Sequence, residues 1–171
     1  MDREFLFRGK SKETGEWLYG NLIYKEGKNY IPDTGKIYSM YYDINYINDY
    51  DLTFTEQNVD YIREVDPNTI GQYTGMKDKH KKKIFEHDIL KFQTPEGSIR
   101  YFVVKWCTCD RKLMSLCDFE HDGHEVRING WCFIWNGYAL YPTVINGVPD
   151  NEVMEIVGNI YDIPELIENK E

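Results

Sequence analysis

The stretch "DILKFQTPEGSIRYFVVKWCTC", residues 88–109, constrains the fold more than any other part of this chain. Its second half alternates, with Val103, Lys105, Cys107 and Cys109 on one face of an extended strand and Val104, Trp106 and Thr108 on the other. The first half, "DILKF", is a shorter strand of the same kind, and "TPEG" between them supplies the turn chemistry of a hairpin. A helix cannot use this pattern. Composition points the same way: aromatic residues make up 15% of the chain, and Ala139 is its one alanine, so pleated, half-buried surfaces are favoured over helices.

Further strands follow from the same reasoning. "EFLFRGK" opens the chain, "SKETGE" turns it at Gly15, and "WLYGNLIYKEGKNYI" reads as two more strands around the Glu26-Gly27 turn, completing a meander. "QYTGM" and "KKIFE" can pair across the polar turn "KDKHK". "EVRINGWCFIWNGYALY" predicts strands with Asn129-Gly130 and Asn136-Gly137 as turn pairs, and "VMEIVGNIY" predicts another. "DIPELIENK" predicts a short helix started by Asp162 and a first-turn Pro164. In "DPNTIGQ", Pro67 drives Asp66 away from helix and Gly71 permits a reversal, which places a lobe boundary near 66–71. The expected architecture is mainly β: an N-terminal meander lobe over 1–66, and over 67–171 a small, partly open barrel with a short C-terminal helix, or one continuous domain. The order of strands in the second part is analogous to that of SH3-like barrels, which implies no activity.

Charge narrows the function. The net charge of -9 disfavours nucleic acid, whose affinity for proteins comes mainly from lysine and arginine displacing counterions. Residues 33–66 carry eight acids against Lys36 and Arg63, and 149–171 carry seven against Lys170. Residues 76–92 invert the balance with six lysines against Asp78, Glu86 and Asp88. The chain is an acidic body with one basic knuckle. No apolar run is long enough to cross a bilayer, and the N-terminus lacks a signal-peptide core, so a cytoplasmic protein is expected, its four cysteines reduced thiols.

Three blocks carry a family resemblance: "FLFRGKSKETGEWLYGNLI", "TIGQYTGMKDKHKKKIFEHDIL" and "MEIVGNIYDIPELI", in that order. Together they resemble the YopX family, small proteins encoded by bacteriophages and prophages. The resemblance implies a phage-encoded, largely β protein acting in the bacterial cytoplasm, with no established enzymatic activity, no agreed ligand and no catalytic residues to carry over. The family usually has Asn-Gly where His80-Lys81 stands and Glu-Gly-Asp where Glu86-His87-Asp88 stands. Both differences remove a glycine, the residue that takes a positive φ without strain.

Several residues are candidates for function, each with a structural alternative. Glu86 and Asp88, two apart on a strand, would face the same side at a spacing of about 7 Å, which suits a divalent metal or acid–base work; alternatively they accept backbone N–H groups at the start of a strand. Lys79 and Lys82, with Arg100, could meet the phosphates of a nucleotide signal, or the lysines form a solvated hairpin tip that protects an edge. Cys107, Cys109, Cys117, His121, His124 and Cys132 have C-x-C and H-x-x-H spacings rather than those of structural zinc, so small apolar residues and a polar turn explain them, and no cofactor is expected. Tyr38, Tyr41, Tyr42, Tyr46 and Tyr50, interleaved with Asp43, Asp49 and Asp51, either present a protein-binding surface that steers a basic partner or fill a second small core. The leading expectation is an interaction protein acting on a host or phage protein, itself a candidate homo-oligomer. A nucleotide binder and a metal-dependent enzyme using Glu86 and Asp88 are the alternatives.

Overall fold

A computed structural model describes residues 4–32, 62–113 and 124–168. Almost every element is a strand: β1 (Phe7–Lys10), β2 (Trp17–Gly20), β3 (Ile23–Lys25), β4 (Lys28–Pro32), β5 (Ile62–Glu64), β6 (Gly71–Lys77), β7 (Lys83–Phe85), β8 (Asp88–Gln93), β9 (Ile99–Leu113), β10 (His124–Trp135), β11 (Tyr138–Leu140), β12 (Val144–Ile145), β13 (Val148–Pro149) and β14 (Glu155–Asn159). One short helix, α1 (Glu165–Glu168), follows. The expected mainly β class with a partly open barrel is what forms. Contacts divide the chain into two units, Met1–Gly75 and Met76–Glu171.

In the first unit β1 pairs antiparallel with β2, Arg8 facing Tyr19, and with the start of β6, Arg8 facing Gly71. The stretch 17–32 makes three strands where two were expected. β2 stops at Gly20, whose missing Cβ would lie 3.3 Å from the buried Ile31 side chain, and the chain then starts a second sheet, β3-β4-β5. Glu26 and Gly27 both take positive φ, 51° and 78°, the type I′ geometry whose twist suits a two-residue hairpin. Val65 is fully buried against the backbone of Gly9. Asp66 then caps the turn at Pro67–Thr69 by accepting the Asn68 N–H at 3.0 Å.

The second unit is built on one antiparallel sheet in the order β11-β10-β9-β8-β14, curled into half a barrel. Alternation aims Leu90, Phe102, Val104 and Phe133 inward, where they meet Ile84 and Met154 in the buried core. The β8–β9 turn is closed by Thr94 N–H donating to the Ser98 carbonyl at 2.8 Å. Asn136 and Gly137, with φ of 47° and 77°, make the β10–β11 hairpin, and Asn146 and Gly147 make the β12–β13 hairpin in the same way.

Asn129-Gly130 is not a turn. Both residues lie within β10, opposite Thr108 and Cys107, and the strand runs straight through them. The glycine is there for close approach: a Cβ at 130 would lie 3.4 Å from the Tyr141 ring, whose hydroxyl donates to the Ile128 carbonyl at 3.0 Å. Gly158 has a similar use in β14, whose register slips between Ile156 and Gly158 so that Ile163, on the way into α1, packs onto bare backbone.

Candidate functional site

The basic knuckle is organised by an acid. Asp78 is fully buried, and its Oδ1 accepts the N–H groups of His80 (2.8 Å) and Lys82 (2.9 Å), while Oδ2 accepts that of Ile156 (3.1 Å). Its own N–H donates to the Lys82 carbonyl at 2.9 Å, closing the loop. Burial pushes the Asp78 carboxyl up, but the three backbone donors outweigh it and hold the group below its ordinary value. The lysines point out from this anchor. Lys79 Nζ lies 2.7 Å from Glu155, Lys81 Nζ 2.9 Å from Glu152, and His80 3.7 Å from Glu155. Of the expected anion-binding residues, Lys79 is thus ion-paired and Lys82 is exposed on the same loop. Arg100, on β9, lies with its guanidinium 4.8 Å from the centre of the Trp135 ring.

Glu86 and Asp88 do not share a strand face. Glu86 lies in the two-residue turn after β7, while Asp88 begins β8 and is buried, its Oδ2 accepting the Phe85 N–H at 2.8 Å across that turn. Among the described residues, no three His, Cys, Asp or Glu side chains form a group that could hold a metal ion. Between the two acids stands His87. Its N–H donates to the Val104 carbonyl (2.8 Å), its carbonyl accepts the Ile160 N–H (3.1 Å), and its Nδ1 lies 3.0 Å from the Tyr161 hydroxyl with the rings edge to face.

The profile of the family described as YopX protein matches residues 6–168. The chain belongs to the YopX family. No curated protein matches it. In this YopX chain Lys81 and His87, which stand where the resemblance implies glycine, keep the backbone geometry that glycine favours, with φ of 64° and 70°. For His87 the bonds to Val104 and Ile160 hold that geometry in place. No short-range pattern in the sequence announces Tyr161, because its meeting with His87 depends on the path of β14.

The thiols meet on the face of the β9–β10 pair opposite Trp106 and Trp131. Cys132 is fully buried and Cys107 and Cys109 are half-buried. Burial, then hydrogen bonding with Cys107, pushes the Cys132 thiol up to about 11. Tyr141 lies across the same face, and hydrogen bonding with Cys109, followed by burial, raises its hydroxyl as well. A buried thiol raised in this way, Cys132, behaves as a packing group rather than a nucleophile. Cys117 and His121, and the partner-binding candidates Tyr38, Tyr41, Tyr42, Asp43, Tyr46 and Tyr50, lie outside the described residues, and of His124 only the backbone is described.

What the sequence reading missed is a run of exposed apolar side chains between Tyr138 and Val153. Tyr138 (67% exposed), Val144 (66%) and Ile145 (62%) project from β11 and the β12–β13 hairpin, with Leu140, Val148 and Val153 also exposed. The hairpin is held at its base, where the Thr143 N–H and hydroxyl both donate to Asp150 Oδ2, at 2.9 and 2.7 Å. The signal was present in "TVINGVPD", an Asn-Gly pair flanked by β-branched residues. No helix among the described residues is long and apolar enough to cross a membrane.

Proposed function

We propose that this YopX protein is a phage-encoded accessory factor that works in the bacterial cytoplasm as an interaction module, binding a host or phage protein. The observation that carries the reading is the preformed β12–β13 hairpin with Val144, Ile145 and Val148 exposed. Exposed apolar side chains favour association, Ile145 and Val148 being a cross-strand pair, and a hairpin fixed by the Thr143–Asp150 bonds loses little conformational freedom on binding. The Tyr38–Tyr50 segment, with Tyr41, Tyr42 and Asp43 at its centre, is the second candidate contact, suited to a basic partner. The nucleotide and metal readings find less support, since Lys79 is ion-paired and Asp88 accepts a backbone N–H within its own turn.

The test is an affinity pull-down of tagged protein from a bacterial host lysate, beside an Ile145→Ser/Val148→Ser variant and a Tyr41→Ala/Tyr42→Ala/Asp43→Ala variant. A partner recovered near stoichiometry by wild type, and lost in at least one variant of unchanged melting temperature, is the expected result. Equal recovery by all three proteins, or no specific capture, overturns the assignment.

A further inference from the structure

The β9–β10 ribbon runs on beyond the rest of its sheet. β8 accompanies β9 only from Ile99 to Val103, and β11 accompanies β10 only from Phe133 to Trp135, while the ladder between β9 and β10 continues to the Leu113–His124 pair. A two-stranded ribbon is marginal in water, and a third strand is the usual remedy. Here Trp106 meets Trp131 edge to face on one side, Tyr141 lies across the other, and Thr108–Asn129 and Asp110–Arg127 bonds link the strands. Among the described residues, none pairs with the outer edge of β10 between Glu125 and Trp131.

The phase of that edge follows from the hairpin. Trp135 and Tyr138 flank a two-residue turn and therefore form a hydrogen-bonded pair, so backbone groups of alternate residues back along β10, including Trp131, Asn129, Arg127 and Glu125, point away from β9. The Val104 carbonyl, pointing away from β10 to accept the His87 N–H, agrees with this phase from the other strand. Glu125 and Arg127 thus offer outward N–H and C=O groups, and both side chains lie exposed on the ribbon face that carries Asp110.

We propose that two copies of the protein pair antiparallel along this edge of β10, with Val126 on the two-fold axis. In that register Glu125 of each copy stands opposite Arg127 of the other in a hydrogen-bonded pair, so that opposite charges meet twice across the axis. Neighbouring registers of the same phase lose this: an axis at Glu125 or at Arg127 opposes like charges, and an axis at Ile128 sets Arg127 against Asn129. The described ribbon beyond the core, 105–113 and 124–132, carries Lys105, Arg111, Lys112 and Arg127 against Asp110 and Glu125, so the excess negative charge of the chain does not lie along this edge. Two strands meeting edge to edge bury little area, so the dimer is a reversible one.

Sedimentation velocity tests the register in an Asp110→Asn background, which spares a reversed charge at 127 a carboxylate across its own ribbon. The parent should dimerise at about 100 µM, a concentration that assembles even a micromolar pair. Glu125→Arg and Arg127→Glu should each be monomeric, and the double exchange should dimerise again. As a second readout, Val126→Cys treated with diamide should give a disulfide-linked dimer on a non-reducing gel, whereas Asn129→Cys, well off the axis, should not. A parent that stays monomeric overturns the proposal. So does a dimer that persists in both single variants without a Val126→Cys cross-link.

Discussion

Asp78 sits among the lysines of the basic knuckle, and its carboxylate is the anchor of the loop between β6 and β7. Replacing it with alanine removes the acceptor for three backbone N–H groups, those of His80, Lys82 and Ile156. Hydrogen bonds to an ionised group contribute about 1.5–3 kcal/mol each, and an orphaned buried donor costs about 1–3 kcal/mol. Two of the three donors lie in an exposed loop where water can replace the lost oxygen, so the simple sum overstates the effect. A loss of about 3 kcal/mol is expected for Asp78→Ala, and Asp78→Asn, which keeps one acceptor oxygen, should lose less. Lys79→Ala and Lys81→Ala, which remove only exposed ion pairs, should each stay within about 1 kcal/mol of wild type.

Urea unfolding followed by tryptophan fluorescence is the assay, because Trp106, Trp131 and Trp135 all lie in the second unit and report its transition. The pH dependence gives an independent check. The Asp78 carboxyl is held below its unfolded value, so its contribution is complete above the unfolded pKa, about 3.9, and disappears as pH falls through the folded value. The gap between wild type and Asp78→Asn should therefore be constant near neutrality and close on acidification below about pH 4. If Asp78→Ala unfolds within about 0.5 kcal/mol of wild type, or if the gap is flat through the acid range, the carboxylate does not organise the loop.

Two further outcomes follow from the backbone and the thiols. Lys81→Gly relieves a left-handed conformation that strains most side chains by about 1–2 kcal/mol, and although it loses the Glu152 ion pair it should stabilise the protein slightly in the same unfolding assay; His87→Gly makes the same exchange but forfeits the Tyr161 contact, so it should gain less or lose stability. Because burial pushes Cys132 up to about 11, only about one molecule in a thousand carries its thiolate at pH 8, and mass-mapped iodoacetamide labelling of folded protein should mark Cys107 well before Cys132.

The fold was legible wherever one face of a strand met the core. The alternation in 99–109 placed β9 and its faces correctly, "TPEG" placed its turn, and "VMEIVGNIY" placed β14. Glycines were the source of error, because a glycine signals either a positive φ or a close approach, and the chain alone does not distinguish them. Asn136-Gly137 bends the chain, whereas Asn129-Gly130 lies straight beneath a tyrosine that arrives only after the β10–β11 hairpin has closed. The opposite case is His87, where no glycine is present and the positive φ persists, because the Val104 carbonyl and the Ile160 N–H hold both ends of the residue.

The same distinction explains why the chemistry of residues 77–88 is not where the charges suggest. A strand reading sets Glu86 and Asp88 side by side, but the turn at Glu86-His87 separates them and folds the Asp88 carboxylate back onto the Phe85 N–H. Both buried acids of the segment, Asp78 and Asp88, are committed to backbone donors, and Glu155 and Glu152 answer Lys79 and Lys81. A segment whose buried acids close its own turns, and in which carboxylates answer Lys79 and Lys81, keeps fewer groups with which to grip a phosphate or a metal. Among the described residues, the Val144–Val148 hairpin and the outer edge of β10 are two surfaces not committed in this way, which is why they, with the Tyr38–Tyr50 segment, rather than the densest run of charge, carry the proposed recognition of another protein chain.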